Sequence, residues 1–479
     1  MSDTQQSAGK MWSGRFREPL DKGFEQWQRS FPFDWRLVQA EVAASIAHAR
    51  AIEAAGVLTA EEAERMSAGL RAIGKLDVNA RSIYDPSASF AKSAATAEDV
   101  HHFVELELTR EIGDLALKLH TGRSRNEQIA TDMRIFVRGK IGVATKSLHA
   151  WAIALIALAE SAGEAVMPSY THLQRAEPVL VAHWVLAYVA MIERDITRLE
   201  DARKRMNLCP LGSGAIAGAT LKLDRSIAAR ELGFDGPTPN SMDATSDRDF
   251  LLEFTQIAAT IGLHVSRFAE EITLFSTAEY GFIELPEAFS TGSSAMPQKK
   301  NPDLTELVRG KSVRLIGAQT ALSTLIKGLP LAYNKDLQEG QEQVFDAADT
   351  LMGILGLLPK FTVVLKFNYV RMKTAATTGY LNAMAAATYL SNKGVPFRKA
   401  HEIVGNAVRL GLESGRELND LTLEELRKLS DAFAEDFFSA ITLDATLDCH
   451  DVAGGTARAR VAEALAAARQ RLEQNRTDK

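Results

Sequence analysis

Residues 179–200 read VLVAHWVLAYVAMIERDITRLE. Apolar side chains recur here at three- and four-residue spacing, as on an α-helix, and they are numerous enough to meet neighbours on two sides. A helix covered on two sides belongs in a bundle. The same spacing, in segments dominated by Ala, Leu, Glu, Arg and Lys, predicts long helices over roughly 135–163, 179–206, 249–279, 304–327 and 343–373. Helices of about 25 residues reach roughly 40 Å. Period-two runs of β-branched residues are scarce. The expected fold is therefore mostly α, with an N-terminal helical part over 1–121, a central long-helix bundle over 122–372 and a smaller helical part over 373–479. Apolar surface on more than one helix face favours association between copies through the bundle; a single large bundle is the alternative.

Working outward, the 479 residues are 46% hydrophobic and 24% charged, an ordinary globular composition with enough apolar material for a large core. A net charge of −6 argues against a general nucleic-acid surface but leaves room for a local anion site. Cys209 and Cys449 are the only cysteines, too few for a disulfide framework or a cysteine-rich metal site, and they fit a reducing cytoplasm. The opening MSDTQQSAGKMWSGRF has no apolar core, so no secretory signal is expected. The most apolar stretch, AWAIALIALAE (150–160), reaches Glu160 too soon to span a bilayer. These features predict a soluble, cytoplasmic protein with neither nucleic acid nor membrane as partner.

The polar joints between helices are rich in reactive groups. HTGRSRNEQ (120–128) sets Arg123 and Arg125 beside Ser124, Asn126 and Gln128 ahead of a helix, and guanidinium forks at a helix N-terminus suit a carboxylate or phosphate. A capped helix start with exposed arginines is the plain alternative. SYTHLQRAEP (169–178) reads as a proline-bounded loop carrying Thr171, His172 and Gln174; the imidazole could act as general acid or base, or simply bond the backbone. In STGSSAMPQKKNPD (290–303), Asn301 reads as a helix cap, Pro302 as the first helical residue and Asp303 as an acid at the positive helix end. That leaves GSSAMPQKK unexplained. Ser293, Ser294, Lys299 and Lys300 can offer hydroxyl, amides and positive charge to an anion, and Glu306 could orient a histidine arriving from another loop. There is no H-E-x-x-H, Walker A or G-x-S-x-G, and Gly212, Gly214 and Gly218 have the wrong spacing for a dinucleotide turn. Adjacent His101 and His102 point apart on a helix and make poor co-ligands. Neither a metal nor a nucleotide cofactor is expected.

Taken together, these loops resemble the fumarase/aspartase superfamily, whose signature G-S-S-x-M-P-x-K-x-N is matched by Gly292, Ser293, Ser294, Met296, Pro297, Lys299 and Asn301. Within it the chain is similar to the argininosuccinate lyase family. The similarity lies in KMWSGRF (10–16), EDVH (98–101), LHTGRSRNEQIATDMR (119–134), YTHLQRAEPVL (170–180), PLGSGAIAG (210–218), DATSDRDF (243–250), GSSAMPQKKNPD (292–303) and YNKDLQE (333–339). These follow the family's order over most of the chain. The resemblance implies an L-aspartase-like, three-part, mostly α subunit. It also implies a homotetramer assembled through the long-helix bundle, with active sites built from loops of different subunits. The implied reaction is reversible elimination of argininosuccinate to arginine and fumarate, a step of arginine biosynthesis.

By the same resemblance, Ser293 is the base that takes the Cβ proton, its alkoxide favoured by loop amides and nearby cations. Lys299 and Asn301 stabilise substrate charge. His172, paired with Glu306, stands on the leaving-group side and protonates the departing nitrogen. Ser294 is the structural or amide-donating neighbour. Substrate contacts carry over to Ser30 in RSFPFD (29–34), Arg125, Asn126, Thr171, Tyr333 and Gln338, with His101 and Ser124 as further members. Two departures leave room for a different amine leaving group. Gln341 stands where the family has a substrate-contacting lysine in YNKDLQEDKE, and DPSASFAKSAATAEDVH (85–101) is unlike the usual acidic run. The rival readings are a lyase of the same scaffold acting on another N-substituted aspartate, and an inactive, crystallin-like structural homologue. Retention of Ser293, His172 and Lys299 argues against the last.

Overall fold

The computed structural model describes residues 18–477; KMWSGRF (10–16) lies outside the described residues. The chain is predominantly helical. Helices α1 (Val38–Ala54), α2 (Ala60–Ile73) and α3 (Val100–Ile112) lead to α4 (Arg125–Ala162). A hairpin of β1 (Val166–Thr171) and β2 (Gln174–Leu180) joins α4 to α5 (Val181–Met206), followed by α6 (Asp249–Phe275), α7 (Asp303–Ile326) and α8 (Glu339–Thr362). Then come α9 (Ala383–Asn392), α10 (Phe397–Ser414) and α11 (Arg458–Thr477).

All five predicted long helices are present, and the two largest boundary shifts are at the start of α4 and the end of α8. Helix α4 starts at Arg125 rather than near 135 because Ser124-Arg125-Asn126-Glu127 is a reciprocal cap. Ser124 Oγ accepts from Asn126 N at 3.3 Å, and Glu127 Oε1 accepts from Ser124 N at 3.1 Å. Helix α8 stops at Thr362 rather than near 373. Its last turn holds Pro359, Lys366–Phe367 then pairs with Ile283–Glu284, and Asn368 caps a separate helix, Tyr369–Ala376, by accepting from Arg371 N.

The proline-bounded loop expected over 167–178 is instead the β1–β2 hairpin, paired from Val166↔Leu180 to Thr171↔Gln174. Only His172 and Leu173 connect the strands, at φ 54° and 58°. Two central residues at positive φ make a type I′-like turn, normally given to Asn-Gly. For other L-residues this conformation costs on the order of 1–2 kcal/mol each.

The described residues form two compact units. The first comprises the chain up to Arg138 with Arg205–Phe250 and Thr324–Glu342; the second comprises Gly139–Lys204, Leu251–Ser323 and the chain from Gln343 onward. The boundaries fall inside α4, α5, α6, α7 and α8, so each long helix gives one end to the first unit and its shaft to the second. In the first unit α1, α2 and α3 pack together, and Phe31 stacks on Phe103 with centroids 4.7 Å apart. Helices α2 and α3 cross so closely that a Cβ at Gly69 would lie 2.9 Å from Leu108 Cδ1.

In the second unit the shafts form the bundle. Buried Trp151 of α4 donates its indole N–H to Thr362 Oγ1 of α8 at 3.1 Å and meets Phe268 of α6 edge-on at 5.4 Å. Phe268 in turn meets Tyr188 of α5 at 5.1 Å, and a Cβ at Gly262 of α6 would lie 3.0 Å from Leu315 Cδ1 of α7. Buried Leu390, Val404, Leu418, Phe433 and Phe437 make a smaller core around α9 and α10. Helix α11 is tied back by Arg469 to Glu160 and Arg471 to Glu193, at 2.7 and 2.9 Å. Large apolar side chains stay exposed along the bundle, among them Val143, Ile153, Leu263, Leu307, Val313 and Leu357.

Helix α4 overturns the expectation that the apolar stretch ending at Glu160 is too short to span a bilayer. That helix runs 38 residues and holds an 18-residue window of mean hydropathy 1.6, long and apolar enough to cross a membrane by composition. Over half of that window (56%) is buried within the protein, as in a core helix.

Candidate active site

In the first unit, the residues expected at the site meet around EDVH. Asp99 caps α3 by accepting from His102 N at 2.7 Å, and its other oxygen accepts from Arg125 Nη1 at 3.1 Å. The Glu98 carbonyl accepts from Ser30 N at 2.9 Å, while its carboxylate lies 3.8 Å from Arg125 and 3.6 Å from Lys335. His101 is buried with Nδ1 2.8 Å from Glu41 Oε2, and because a carboxylate only accepts, Nδ1 carries the proton. Buried Gln338 donates Nε2 to the Gln28 carbonyl at 3.1 Å. Tyr333 is the ring beside buried Arg248; burial raises the phenol and pushes the guanidinium down to about 10.

Asn126 turns to the glycine-rich PLGSGAIAG segment, donating Nδ2 to the Ala215 carbonyl at 3.1 Å. Ser124, with its arginine neighbours, lines an open cleft of about 700 Å³ against residues 214–220. Two groups hold that segment. Glu127 Oε2 accepts from Gly214 N at 2.8 Å. Arg225 donates to the carbonyls of Leu211 and Thr238 (both 2.9 Å), to those of Cys209 and Pro210 (both 3.3 Å), and to the Thr238 and Ser213 hydroxyls (2.8 and 3.0 Å).

In the second unit, Thr291–Gly292 pairs with Lys300–Asn301 and pinches residues 293–299 into a loop. Half-buried Ser293 accepts at Oγ from Ala295 N at 3.2 Å and Met296 N at 3.1 Å. Ser294 and Lys299 are exposed. Asp303 pins the loop to the first turn of α7 by accepting from Thr291 N at 2.7 Å. Asn301 does not cap α7 as expected: the helix begins at Asp303, and Asn301 Nδ2 goes to Thr291 Oγ1 at 3.5 Å. Glu306 is exposed one turn into α7, with Arg309 at 3.9 Å. Thr171 and His172 stand exposed on the hairpin tip, and among the described residues no hydrogen bond or ion pair joins His172 to Glu306. The loop–helix junction thus gathers Ser293, Lys299, Asn301 and Glu306, and the hairpin presents Thr171 and His172 separately.

Several charged groups around the first-unit site escaped the sequence reading. Asp34 is buried with Oδ1 lacking a donor; burial, then the Asp99 charge, raise its carboxyl to about 7. Its signal was the Ser30–Asp34 spacing in RSFPFD, one helical turn. Glu41 in the first turn of α1 and Asp132 farther along α4 carry no local signal of burial. Arg248 lay within the quoted DATSDRDF without a role.

Comparison with known proteins places this arrangement. The profile described as Lyase matches residues 14–317, and that described as Argininosuccinate lyase C-terminal matches residues 380–448. The argininosuccinate lyase of Acidobacterium capsulatum is 62% identical over 465 residues, covering 96% of this chain and 94% of that protein. That of Koribacter versatilis is 56% identical over 463 residues, covering 97% of both. The chain belongs to the argininosuccinate lyase family. The fold agrees. EDDS lyase in complex with formate superposes with a TM-score of 0.81 at 26% identity, covering 93% of this chain and 88% of that one. The 3-carboxy-cis,cis-muconate lactonizing enzyme from Pseudomonas putida shares the fold alone, with a TM-score of 0.73 at 19% identity over 95% of this chain and all (100%) of that one. Membership of the argininosuccinate lyase family and the mostly helical, L-aspartase-like architecture bear out the resemblance read from the loops.

Proposed function

We propose that the chain is a carbon–nitrogen lyase that splits argininosuccinate into arginine and fumarate, working as a cytoplasmic homotetramer in arginine biosynthesis. One observation carries the chemistry: Ser293 Oγ is the focus of two backbone amides at 3.2 and 3.1 Å. A neutral serine is far too weak a base for a C–H bond beside a carboxylate. Amides already aimed at Oγ stabilise its alkoxide without reorganisation at the moment of reaction. Lys299, six residues on in the same loop, adds positive charge.

The alkoxide takes the Cβ proton, and the electron pair enters the adjacent carboxylate as an aci-carboxylate, stabilised by Lys299 and Asn301. Collapse of that pair forms the fumarate double bond and expels the nitrogen. His172, steadied by Glu306, gives that nitrogen a proton. The strained turn under His172 supports a functional role, because L-residues keep positive φ at a cost that something must offset. In the first unit, Arg125 and His101 suit substrate carboxylates, whereas Asp34, Glu98 and Asp99 suit a guanidinium or amine. Ser30, Ser124, Asn126, Thr171, Tyr333 and Gln338 supply the neutral donors and acceptors.

The tetramer is supported by the exposed apolar side chains on the bundle shafts, Val313 being 67% exposed. Sharing of sites between subunits is supported by His172 and Glu306, which no hydrogen bond or ion pair joins among the described residues. A second reading, action on another N-substituted aspartate, is favoured by one feature. Gln341, where the family carries lysine, is buried and its Oε1 has no donor. The test is to mix purified protein with argininosuccinate and follow fumarate by ultraviolet absorbance, with other N-substituted aspartates in parallel. Equimolar arginine and fumarate are expected. Fumarate from another N-substituted aspartate but none from argininosuccinate would overturn the assignment.

A further inference from the structure

The first turns of α4 carry Arg125, Gln128 and Asp132 on one face, at three- and four-residue spacing. Arg125 reaches Asp99, and Gln128 donates Nε2 to Glu41 Oε1 at 3.0 Å. Asp132 is wholly buried, yet neither of its oxygens has a hydrogen-bond donor. Its carboxyl oxygen, a Glu41 oxygen and His101 Nδ1 lie within 4.8 Å of one another. Nδ1 is 2.8 Å from Glu41 and 3.6 Å from Asp132. Glu41, by contrast, is well supplied. It accepts from Ser45 at 2.6 Å, from Gln128 and from His101, and the Arg123 guanidinium lies 3.7 Å away.

Two carboxylates cannot both stay ionised at this separation when one of them has no donor. A proton on Asp132 resolves the conflict, because it turns an orphaned acceptor into a donor toward Glu41. The electrostatics run the same way. Burial, then the Glu41 charge, raise the Asp132 carboxyl well above the usual carboxylate range. Burial would raise Glu41 too, but the charges of His101 and Arg123 outweigh it and hold Glu41 well below that range. Burial disfavours a charged His101, yet Glu41 and Asp99 prevail and hold the imidazole above its ordinary value.

We propose that Asp132 is a positioning residue for His101: it carries a proton donated to Glu41, so that a single negative charge faces Nδ1 and the ring presents a charged Nε2–H to a substrate carboxylate. The part concerning substrate rests on the lyase reading above. The titratable and charged groups around the ring are Glu41 on α1, Asp132 and Arg125 on α4, Asp99 and Glu105 on either side of it along α3, Arg123 and His120 ahead of α4, and Asp34. Asp99 pairs with Arg125 and acts on the ring from a distance, so Glu41 is the anion in contact with His101 Nδ1.

The test is histidine-selective ¹⁵N NMR of the assembled protein without substrate, read beside the pH profile of kcat/KM. His101 is expected to titrate above the ordinary histidine value of about 6.5. The double variant Glu41→Gln/Asp132→Asn, with no carboxyl left against Nδ1, should titrate His101 at least about one pH unit lower and move the alkaline limb with it. Asp132→Ala should raise KM roughly tenfold, with a smaller change in kcat. Asp132→Asn, which keeps a neutral donor, should bring KM back to within about threefold of the unmodified protein. A His101 that titrates at or below the ordinary histidine value in the unmodified protein overturns the proposal. So does an Asp132→Asn variant that assembles normally yet is as impaired as Asp132→Ala. The NMR titration needs no turnover, so a charged His101 in a protein that fails to cleave argininosuccinate would count against the lyase reading alone.

Discussion

Replacing Ser293 with alanine separates what its hydroxyl does for the loop from what it does for the reaction. At rest, Oγ accepts two amide hydrogen bonds, at 3.2 and 3.1 Å, in a loop whose other side chains are exposed. Neutral bonds of this kind contribute about 0.5–1.5 kcal/mol each at most, less where water can replace them. The stability loss should therefore stay near 1 kcal/mol, and for a chain of this length that lowers Tm by less than about 3 °C. In the transition state the same amides face a developing negative charge. Loss of one such preorganised donor costs about 3–4 kcal/mol, or roughly 100- to 1,000-fold. Removing the oxygen forfeits both amide interactions and the base, so kcat should fall by at least about 1,000-fold. The assay is fumarate release by a variant of unchanged subunit assembly, with Tm measured on the same sample. Exposed Ser294 makes no hydrogen bond among the described residues, and Ser294→Ala should keep kcat within about threefold. Turnover by Ser293→Ala within tenfold of the unmodified protein, or a Ser294→Ala variant equally dead, would refute the assignment.

Two predictions concern the groups that hold the first-unit site. Arg225→Ala orphans the carbonyls of Leu211 and Thr238 and frees the PLGSGAIAG segment; at about 1–3 kcal/mol per buried unsatisfied acceptor, a loss of roughly 3 kcal/mol is expected. Lysine lacks the planar fork and should not rescue it; an unchanged Tm for Arg225→Ala would count against the cradle. Asp34 should make stability fall with rising pH. Its folded value of about 7 lies above the unfolded value near 3.9, so between about pH 4 and pH 7 the unfolded chain sheds a proton that the folded chain keeps. That stabilisation, on the order of 4 kcal/mol, is complete below pH 4 and gone above pH 7. The difference in unfolding midpoint between Asp34→Asn and the unmodified protein should change across that window, and a difference constant from pH 4 to 8 would contradict it.

How legible the molecule was in its sequence follows from which interactions are local. Helices announce themselves by spacing, so all five long ones could be placed. Where a boundary slipped, as at Arg125, the cause was a cap a few residues away from the apolar pattern. The β1–β2 hairpin was hidden because its turn breaks the local rule. Asn-Gly would have marked it, whereas His172-Leu173 marks nothing and is strained as well. The Ser293 loop was legible for the converse reason: a helix cap accounts for NPD but not for GSSAMPQKK, and the surplus pointed to chemistry. Asp34 had a faint signal in its spacing from Ser30, whereas Glu41 and Asp132 were illegible. A lone carboxylate in a helix reads as a solvated face until the tertiary fold buries it, and only then does the count of donors show which acid must hold a proton. Local rules fail at the turn under His172 and in the acids around His101, both at residues assigned to the site. A turn relaxed by Asn-Gly would lose the imidazole, and a first-unit pocket lined with apolar groups in place of Glu41 and Asp132 would pack more easily but leave Nδ1 of His101 without its anion. The positions that resist prediction from pattern are therefore those where chemistry, and not folding, chose the residue.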